Sequence, residues 1–236
     1  MGFRVLRIVV ATGIASLALS ASSPVSAAGL HFLAPAQVDP SFLLPPPPAP
    51  DSDTQKAELA ELDQIQATRS DADFARATVD NDNETPTLFA TVLGPSFDLS
   101  KLPATARVLG DVISEEKAAA KLAKEYFHRS RPYVFDPTLK TCEAHDLNPQ
   151  NSYPSGHATL GYATGVVLAS LMPSKAQIIL ARSADYAHER LVCGVHYRSD
   201  IVAGQVLGTV VAEQLLANKD FRAEFDAAAA ELRQLQ

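Results

Sequence analysis

Apolar residues recur every three to four positions along most of the chain, a spacing that predicts helices. No stretch alternates apolar and polar residues in the way that a half-buried strand does. Helices are predicted over about residues 53–68, 70–79, 86–93, 102–128, 154–171, 174–192, from 199 or 200 through 215, and 219–235. The pattern therefore predicts an all-α fold, a single-domain helical bundle.

Two stretches interrupt this pattern. Residues 29–52 have no helical period and include four consecutive prolines at 45–48, which favour an extended polyproline arm or spacer. Residues 133–153 are rich in Asp, Asn and Pro and predict a long irregular connection. A loop of that length in a compact domain is often functional.

The first 28 residues have the layout of a secretory signal. Arg4 and Arg7 precede an apolar run over 8–19, and small residues follow up to Ala27 and Ala28, where cleavage is expected. The alternative is a membrane anchor, but the apolar run is shorter than the ~20 residues that a spanning helix needs. We therefore predict a signal peptide at 1–28, a proline-rich arm at 29–52 and a helical domain at 53–236. No later segment is expected to span a membrane.

Composition and charge narrow the class of protein. The chain is 47% hydrophobic and 20% charged, as globular domains are. Loss of the signal peptide removes two of 20 basic residues and none of 27 acidic ones, which leaves a net charge of −9. That charge argues against nucleic acid as a partner. In an exported chain, the two cysteines, Cys142 and Cys193, favour one disulfide over two buried thiols.

Three separated stretches place cationic and polar groups at predicted helix ends. The stretch PSGH begins the helix near 154, where unpaired backbone N–H groups and the helix dipole attract an anion. Gly156 leaves the backbone open to that anion, and Ser155 adds a hydroxyl donor. KEYFHRSRP supplies Lys124 and Arg131, and ERLVCGVHYRSD supplies Arg190. Together they predict a cage for a phosphate-like oxyanion.

The same stretches carry groups for phosphoryl transfer. His196 and Asp200 are four residues apart, so the carboxylate can accept from one ring nitrogen and leave the other to attack phosphorus. His157 can then protonate the departing alcohol oxygen and later activate water. This chemistry predicts a phosphohistidine intermediate and needs no metal ion or other cofactor. No metal-binding spacing of His, Cys and Asp is visible in the sequence.

These motifs together resemble the signature of the type 2 phosphatidic acid phosphatase (PAP2) superfamily. The matching residues are Lys124-x6-Arg131-Pro132, Pro154-Ser155-Gly156-His157 and Arg190-x5-His196-x3-Asp200. Within it, the signal peptide, LLPPPP and SYPSGH resemble the secreted class A bacterial non-specific acid phosphatases. The resemblance implies the helical bundle of the PAP2 and haloperoxidase type. It also implies metal-independent hydrolysis of phosphate monoesters at mildly acidic pH in the periplasm.

The resemblance assigns each site residue a role. His196 would be the nucleophile, Asp200 its orienting carboxylate and His157 the proton donor. The phosphate ligands would be Lys124, Arg131, Ser155, Gly156 and Arg190. One position departs from the family, because Glu189 stands where a serine is usual. A carboxylate there could pair with Arg190 and weaken the binding of phosphate.

Other functions remain open at this point. A vanadate-dependent haloperoxidase shares the oxyanion cage, a lipid phosphatase usually adds membrane spans, and a phosphate-binding protein needs the cage without both histidines. The expected partners are small phosphomonoesters such as nucleotides, sugar phosphates and aryl phosphates, hydrolysed with transfer to other alcohols as a side reaction. The sequence predicts a periplasmic or secreted bacterial enzyme and leaves the oligomeric state open, a homo-oligomer included.

Overall fold

The computed structural model describes residue 2 and residues 29–145 and 149–233, and within them it is all-α. The predicted signal peptide lies outside the described residues, apart from Gly2. The α-helices are α1 (Pro40–Leu43), α2 (Asp53–Thr68), α3 (Asp71–Asn81), α4 (Ala90–Leu93), α5 (Pro103–Phe127), α6 (Pro132–Phe135), α7 (Gly156–Leu171), α8 (Ala176–Val192), α9 (Arg198–Ala217) and α10 (Lys219–Leu232). Short 3₁₀ helices occur at Pro35–Gln37, Pro86–Phe89, Leu99–Lys101 and Pro173–Lys175. The helical bundle predicted from the spacing of apolar residues is thus confirmed.

Side-chain caps fix where several helices begin. The Ser52 hydroxyl accepts from the backbone N–H of Gln55 and caps the start of α2. Ser70 and Asp73 form a reciprocal capping box at the start of α3. The Ser155 hydroxyl caps α7 by accepting from the backbone N–H of Ala158, so that this helix begins at Gly156 and places His157 in its first turn. Capping thereby sets the position of a predicted site residue.

Helix α7 forms the centre of the bundle. It is buried on nearly every side and packs against α5, α8, α9 and α10. Gly204 and Gly208 lie four residues apart on α9 and allow this helix to approach α7 closely. A Cβ at Gly208 would lie 2.4 Å from the carbonyl oxygen of Thr159, closer than real Cβ contacts permit. The core therefore places the start of α7 against the first turns of α9.

The N-terminal segment 29–52 differs from the extended spacer that its sequence suggests. It contains a 3₁₀ turn and α1, and Leu33, Val38 and Leu44 are buried in the main core. The backbone N–H of Phe32 donates to Glu115 Oε1 at 2.7 Å, and the hydroxyl of Tyr153 donates to the carbonyl of Pro45 at 2.7 Å. The prolines at 45–48 themselves have no regular structure. The segment packs on the helices and contributes to their core.

Among the residues that the structure describes, one helix is long and apolar enough by length and composition to cross a membrane. Helix α9 has a window of mean hydropathy 1.3 and sufficient length, so the expectation that no later segment would qualify was wrong. Half of that window is buried inside the fold. A core helix passes the same test, and α9 packs extensively on α7. The result is therefore weak evidence for a membrane span.

Candidate active site

Six of the predicted site residues line one cavity of about 260 Å³, which we call the central cavity. It lies where the end of α5, the start of α7, the end of α8 and the turn before α9 meet. Its lining consists of Glu84, Lys124, Arg131, Glu143, Ala144, Gly156, His157, Arg190 and His196. The structure thus brings the three separated sequence stretches together, with both histidines and all three predicted cations around one space.

His196 is buried, and its two ring nitrogens have different partners. Nδ1 lies 3.2 Å from Asp200 Oδ2, whereas Nε2 lies 2.8 Å from the guanidinium Nη1 of Arg131. Because the carboxylate only accepts, Nδ1 carries the proton and the lone pair is on Nε2. Burial, followed by the nearby cations, lowers the pKa of His196 well below its usual range. The ring is therefore neutral, and its unprotonated nitrogen is the one on the cation side.

Besides His196, three other groups bind the carboxylate of Asp200. Its Oδ1 accepts from Arg129 at 2.6 Å, and its Oδ2 accepts from the Ser152 hydroxyl at 2.6 Å and the Tyr197 backbone N–H at 2.9 Å. Arg129 also donates to Glu58 on α2 at 2.8 Å. Burial raises the pKa of Asp200, and the guanidinium of Arg129 opposes that shift. This network fixes the carboxylate that orients His196.

His157 lies in the first turn of α7 and is also buried. Its Nε2 lies 3.0 Å from the backbone carbonyl oxygen of Asn81, and its Nδ1 lies 3.5 Å from Glu84 Oε1. Burial, followed by Arg190, lowers the pKa of His157 well below its usual range. Burial and the nearby cations thus favour the neutral imidazole, and an anion bound in the cavity would favour its protonated form.

The three cations reach the central cavity from different elements. Burial, followed by Arg131, lowers the pKa of Lys124 to about 8, so Lys124 is a cation at acidic and neutral pH. Arg131 is oriented by the Asn151 side chain at 2.8 Å and the Val195 carbonyl at 2.9 Å. Arg190 is almost fully buried, and its Nη1 donates to Asn81 Oδ1 at 2.6 Å. Crowded cations of this kind form a site for an oxyanion.

The predicted phosphate ligands at the start of α7 differ in position. Gly156 lines the central cavity, and a Cβ added there would meet only Lys124 at ordinary contact distances. The hydroxyl of Ser155 instead accepts from the backbone N–H of Ala158 at 3.3 Å, and its residue is not part of the cavity lining. In this structure the Ser155 side chain therefore serves the helix cap.

Glu189 does not pair with Arg190. Its Oε1 accepts from Arg76 Nε on α3 at 2.7 Å, on the side of α8 away from the central cavity. The recorded carboxylate partner of Arg190 is Glu143, at 3.5 Å from Nη2. Glu189, which replaces the usual serine of the family, thus forms an ion pair with Arg76 instead of Arg190.

Relatives identify the protein class. The sequence model of the PAP2 superfamily matches residues 108–220. An acid phosphatase of Zymomonas mobilis is 32% identical over 200 residues, which cover 82% of this chain and 75% of that protein. Non-specific acid phosphatases of Providencia stuartii and Salmonella typhimurium are each 29% identical, over 88% and 73% of this chain and 86% and 72% of their own lengths. The chain belongs to the PAP2 superfamily. It is a phosphatase, as its motifs indicated.

A solved structure has the same fold as this PAP2 phosphatase. The transmembrane PAP2-type phosphatidylglycerolphosphate phosphatase of Bacillus subtilis superposes with a TM-score of 0.52 at 16% identity, covering 69% of this chain and 85% of that one. At that identity the likeness concerns the fold alone. The matched residues 108–220 include all of the predicted site residues of the phosphatase.

Sequence reasoning missed four residues that support the phosphatase site. Arg129 and Ser152 hold Asp200, and Asn81 and Glu84 contact His157. The only signal for Arg129 was its place inside KEYFHRSRP, between two predicted ligands. Asn81 and Glu84 fall in the stretch DNDNET at residues 80–85, whose composition is typical of a turn and gives no sign of a site. Within the described residues no cluster of three or more His, Cys, Asp and Glu side chains suits a metal ion.

Proposed function

We propose that this acid phosphatase hydrolyses phosphate monoesters of broad specificity through a phosphohistidine at His196. The observation that carries the proposal is that His196 and His157 line one cavity together with the three cations Lys124, Arg131 and Arg190. One imidazole has an unprotonated nitrogen on the cavity side, and the other has a nitrogen that can exchange a proton. This is the pair of groups that a two-step transfer needs.

In the first step, Nε2 of His196 attacks phosphorus and forms a P–N bond. The bond from phosphorus to the ester oxygen breaks, and its electron pair stays on that oxygen. The oxygen takes a proton from His157 and leaves as an alcohol. Asp200 stabilises the positive charge that develops on the His196 ring, and Lys124, Arg131 and Arg190 neutralise the phosphoryl oxygens.

In the second step, water replaces the alcohol. His157 is now neutral and accepts a proton from water while the oxygen attacks phosphorus. The P–N bond breaks, its electron pair returns to Nε2 of His196, and phosphate is released. If another alcohol takes the place of water, the phosphoryl group is transferred to it, which gives a phosphotransferase side activity.

The proposed mechanism gives the three cations the role that metal ions have in other phosphatases. Lys124 is charged below its pKa of about 8, which suits work at mildly acidic pH. The predicted signal peptide and the Cys142–Cys193 disulfide support export to an oxidising compartment, the periplasm or the exterior. The expected substrates are the monoesters of nucleotides, sugars and phenols.

The nucleophile is tested with His196→Ala and a matched control, His188→Ala, whose ring is exposed on α8. We expect His196→Ala to lose activity by at least about 10³-fold while remaining folded, and the control to keep it. Rapid acid quench with a ³²P-labelled substrate should trap an acid-labile phosphoprotein in the control only. Substantial turnover by folded His196→Ala would exclude His196 as nucleophile.

Metal independence needs a separate measurement. Dialysis against EDTA should leave the rate of phosphomonoester hydrolysis unchanged, because the cations of the central cavity are covalent parts of the chain. A loss of activity that a divalent metal restores would contradict this part of the proposal.

A further inference from the structure

Glu84 is a charged residue of the central cavity to which neither the motifs nor the mechanism above gives a role. It lies in the turn between α3 and the 3₁₀ helix Pro86–Phe89. Its Oε1 lies 3.5 Å from His157 Nδ1, and its Oε2 lies 3.0 Å from Lys117 Nζ on α5. The ion pair with Lys117 holds the carboxylate between α5 and the start of α7.

The hydrogen-bond partner of Nε2 decides which nitrogen of His157 exchanges a proton. Nε2 faces the backbone carbonyl of Asn81 at 3.0 Å, and a carbonyl can only accept a hydrogen bond. Nε2 therefore keeps its proton in both the neutral and the charged ring. Nδ1 is the atom that gains and loses a proton, and it is the atom that faces Glu84.

The charge around His157 opposes its protonated form. The cations that lower its pKa are Arg190 on α8, Lys124 on α5 and Arg131. Other groups at the central cavity are His196 and Glu143, and the phenol of Tyr186 lies 5.5 Å away between ring centroids. Of the two carboxylates in the lining, Glu84 is the one with an oxygen recorded next to the ring.

Glu84 also lies at a boundary between two cavities. A second cavity of about 430 Å³, which we call the outer cavity, shares Glu84, Lys124 and Gly156 with the central one. Phosphate in the central cavity would direct its ester oxygen toward one of the openings of that cavity. The shared boundary provides such an opening, with the Nδ1 atom of His157 beside it.

We propose that Glu84 is the positioning residue of the proton donor, holding the Nδ1 proton of His157 at the boundary through which the alcohol leaves. The proposal rests on the proposed function of His157. Nδ1–H of the imidazolium donates to Glu84 before the transfer. As the phosphorus–oxygen bond breaks, that proton passes to the leaving oxygen, and the neutral ring keeps its N–H on Asn81. Glu84 itself exchanges no proton.

The test compares Glu84→Gln with wild type on two kinds of substrate. An alkyl phosphate such as glycerol 2-phosphate needs a proton on its leaving oxygen, whereas p-nitrophenolate leaves as a stable anion. Since general acid catalysis contributes about 10²–10⁴ in rate, we expect kcat for the alkyl ester to fall at least about tenfold. For p-nitrophenyl phosphate we expect a fall of less than about threefold.

The pH profile gives a second readout. A carboxylate beside an imidazolium favours the charged ring, so its removal lets the ring lose its proton at lower pH. We expect the alkaline limb of kcat for the alkyl ester to move to lower pH in Glu84→Gln. Glu84→Asp keeps the charge at a greater distance from Nδ1 and should give an intermediate shift in the same direction.

A matched control comes from the outer cavity. Glu125 lines it, pairs with Lys121 at 3.8 Å, and has a side chain 45% exposed, compared with 48% for Glu84. Glu125→Gln should leave both substrates and the pH profile unchanged. An equal loss on both substrates in Glu84→Gln, or no change in either, would overturn the role of Glu84.

Different results would exclude the phosphohistidine at His196 and the positioning role of Glu84. If wild type forms no phosphoenzyme, or His196→Ala remains active, the proposed function is wrong. If wild type forms the phosphoenzyme normally and Glu84→Gln shows no dependence on the leaving group, only the role of Glu84 is wrong. Circular dichroism and inhibition by sulfate establish that each variant is folded with an intact anion site.

Discussion

Glu116 is a buried acid beside the outer cavity, and its protonation should affect stability. Its side chain is almost fully buried, and no partner is recorded for its Oε2. Burial raises the pKa of Glu116 well above its usual range. A group whose pKa is higher in the folded state stabilises the fold below its unfolded pKa, and this contribution is lost as pH rises through the folded pKa.

We therefore expect Glu116→Gln to change stability in a pH-dependent way. The amide cannot ionise, so the variant should gain stability relative to wild type as pH rises above about 4.5, by up to about 1.4 kcal/mol per pH unit until the folded pKa is reached. Thermal unfolding at pH 5 and pH 8 measures this difference. An equal difference at both pH values would contradict the buried, protonated state of Glu116.

The residues of the site differ in how far their roles could be predicted from sequence. His196 and Asp200 are four apart on one helix start, so local spacing predicted their contact. Arg129 contacts Asp200, which is 71 residues away in sequence, and Glu58 contacts Arg129 at the same sequence separation. A single sequence carries no signal for such pairs, because only the packing of α2 and α5 against α9 brings them together.

At the scale of helices, the contact of α7 with α9 positions the end of α7 that lines the central cavity. The backbone N–H of Ser155 donates to the carbonyl oxygen of Asp200 at 3.0 Å, directly beside the approach of the two helices. A Cβ at Gly204 would lie 2.6 Å from the carbonyl oxygen of Ser155 and 2.7 Å from the Cβ of Ala158. Neither neighbour is the flexible end of a long side chain, so a helix must shift.

Gly204→Ala should accordingly disturb both stability and catalysis. We expect unfolding free energy to fall by about 1–3 kcal/mol from overpacking, and kcat to fall about tenfold or more because the start of α7 moves. Gly110→Ala on α5 is the matched control, since a Cβ there meets nothing within 4 Å. It should keep activity and gain up to about 1 kcal/mol. Denaturant unfolding and kcat, measured for both variants, test these two effects. Unchanged activity in a destabilised Gly204→Ala would show that the contact of α7 with α9 serves stability alone.

The long helices and the short helical segment 86–93 could be predicted from sequence, whereas the single helical turns near the N-terminus could not. Helices α2, α5, α8 and α10 each repeat an apolar face over several turns, so their period identified them. The 3₁₀ turn Pro35–Gln37 and α1 are a single turn each, too short to show a period. Their place in the core depends on contacts such as that of Phe32 with Glu115, which are formed only when the whole chain is folded.

At the scale of the whole molecule, one covalent link closes a part of the chain that holds half of the predicted site residues. The disulfide joins Cys142 to Cys193 across a separation of 51 residues, which includes α7 and α8. In this span lie His157 and Arg190, whereas His196 and Asp200 follow it. The predicted bridge is present in the structure, and it ties the connection after α6 to the end of α8.

Reduction of this bridge should lower stability far more than activity. A closed loop of this length stabilises by about 4 kcal/mol in the chain-entropy account, so the melting temperature should fall by about 10 °C. Activity well below the melting temperature should persist, because Arg129 and Ser152 hold Asp200 through contacts that do not involve the bridge.

The measurement is thermal unfolding and kcat of wild type with and without dithiothreitol. The double variant Cys142→Ser/Cys193→Ser is the control, and dithiothreitol should change neither of its values. Loss of activity in a protein that remains folded after reduction would show instead that the bridge positions Arg190, through the contact of neighbouring Glu143 with its guanidinium.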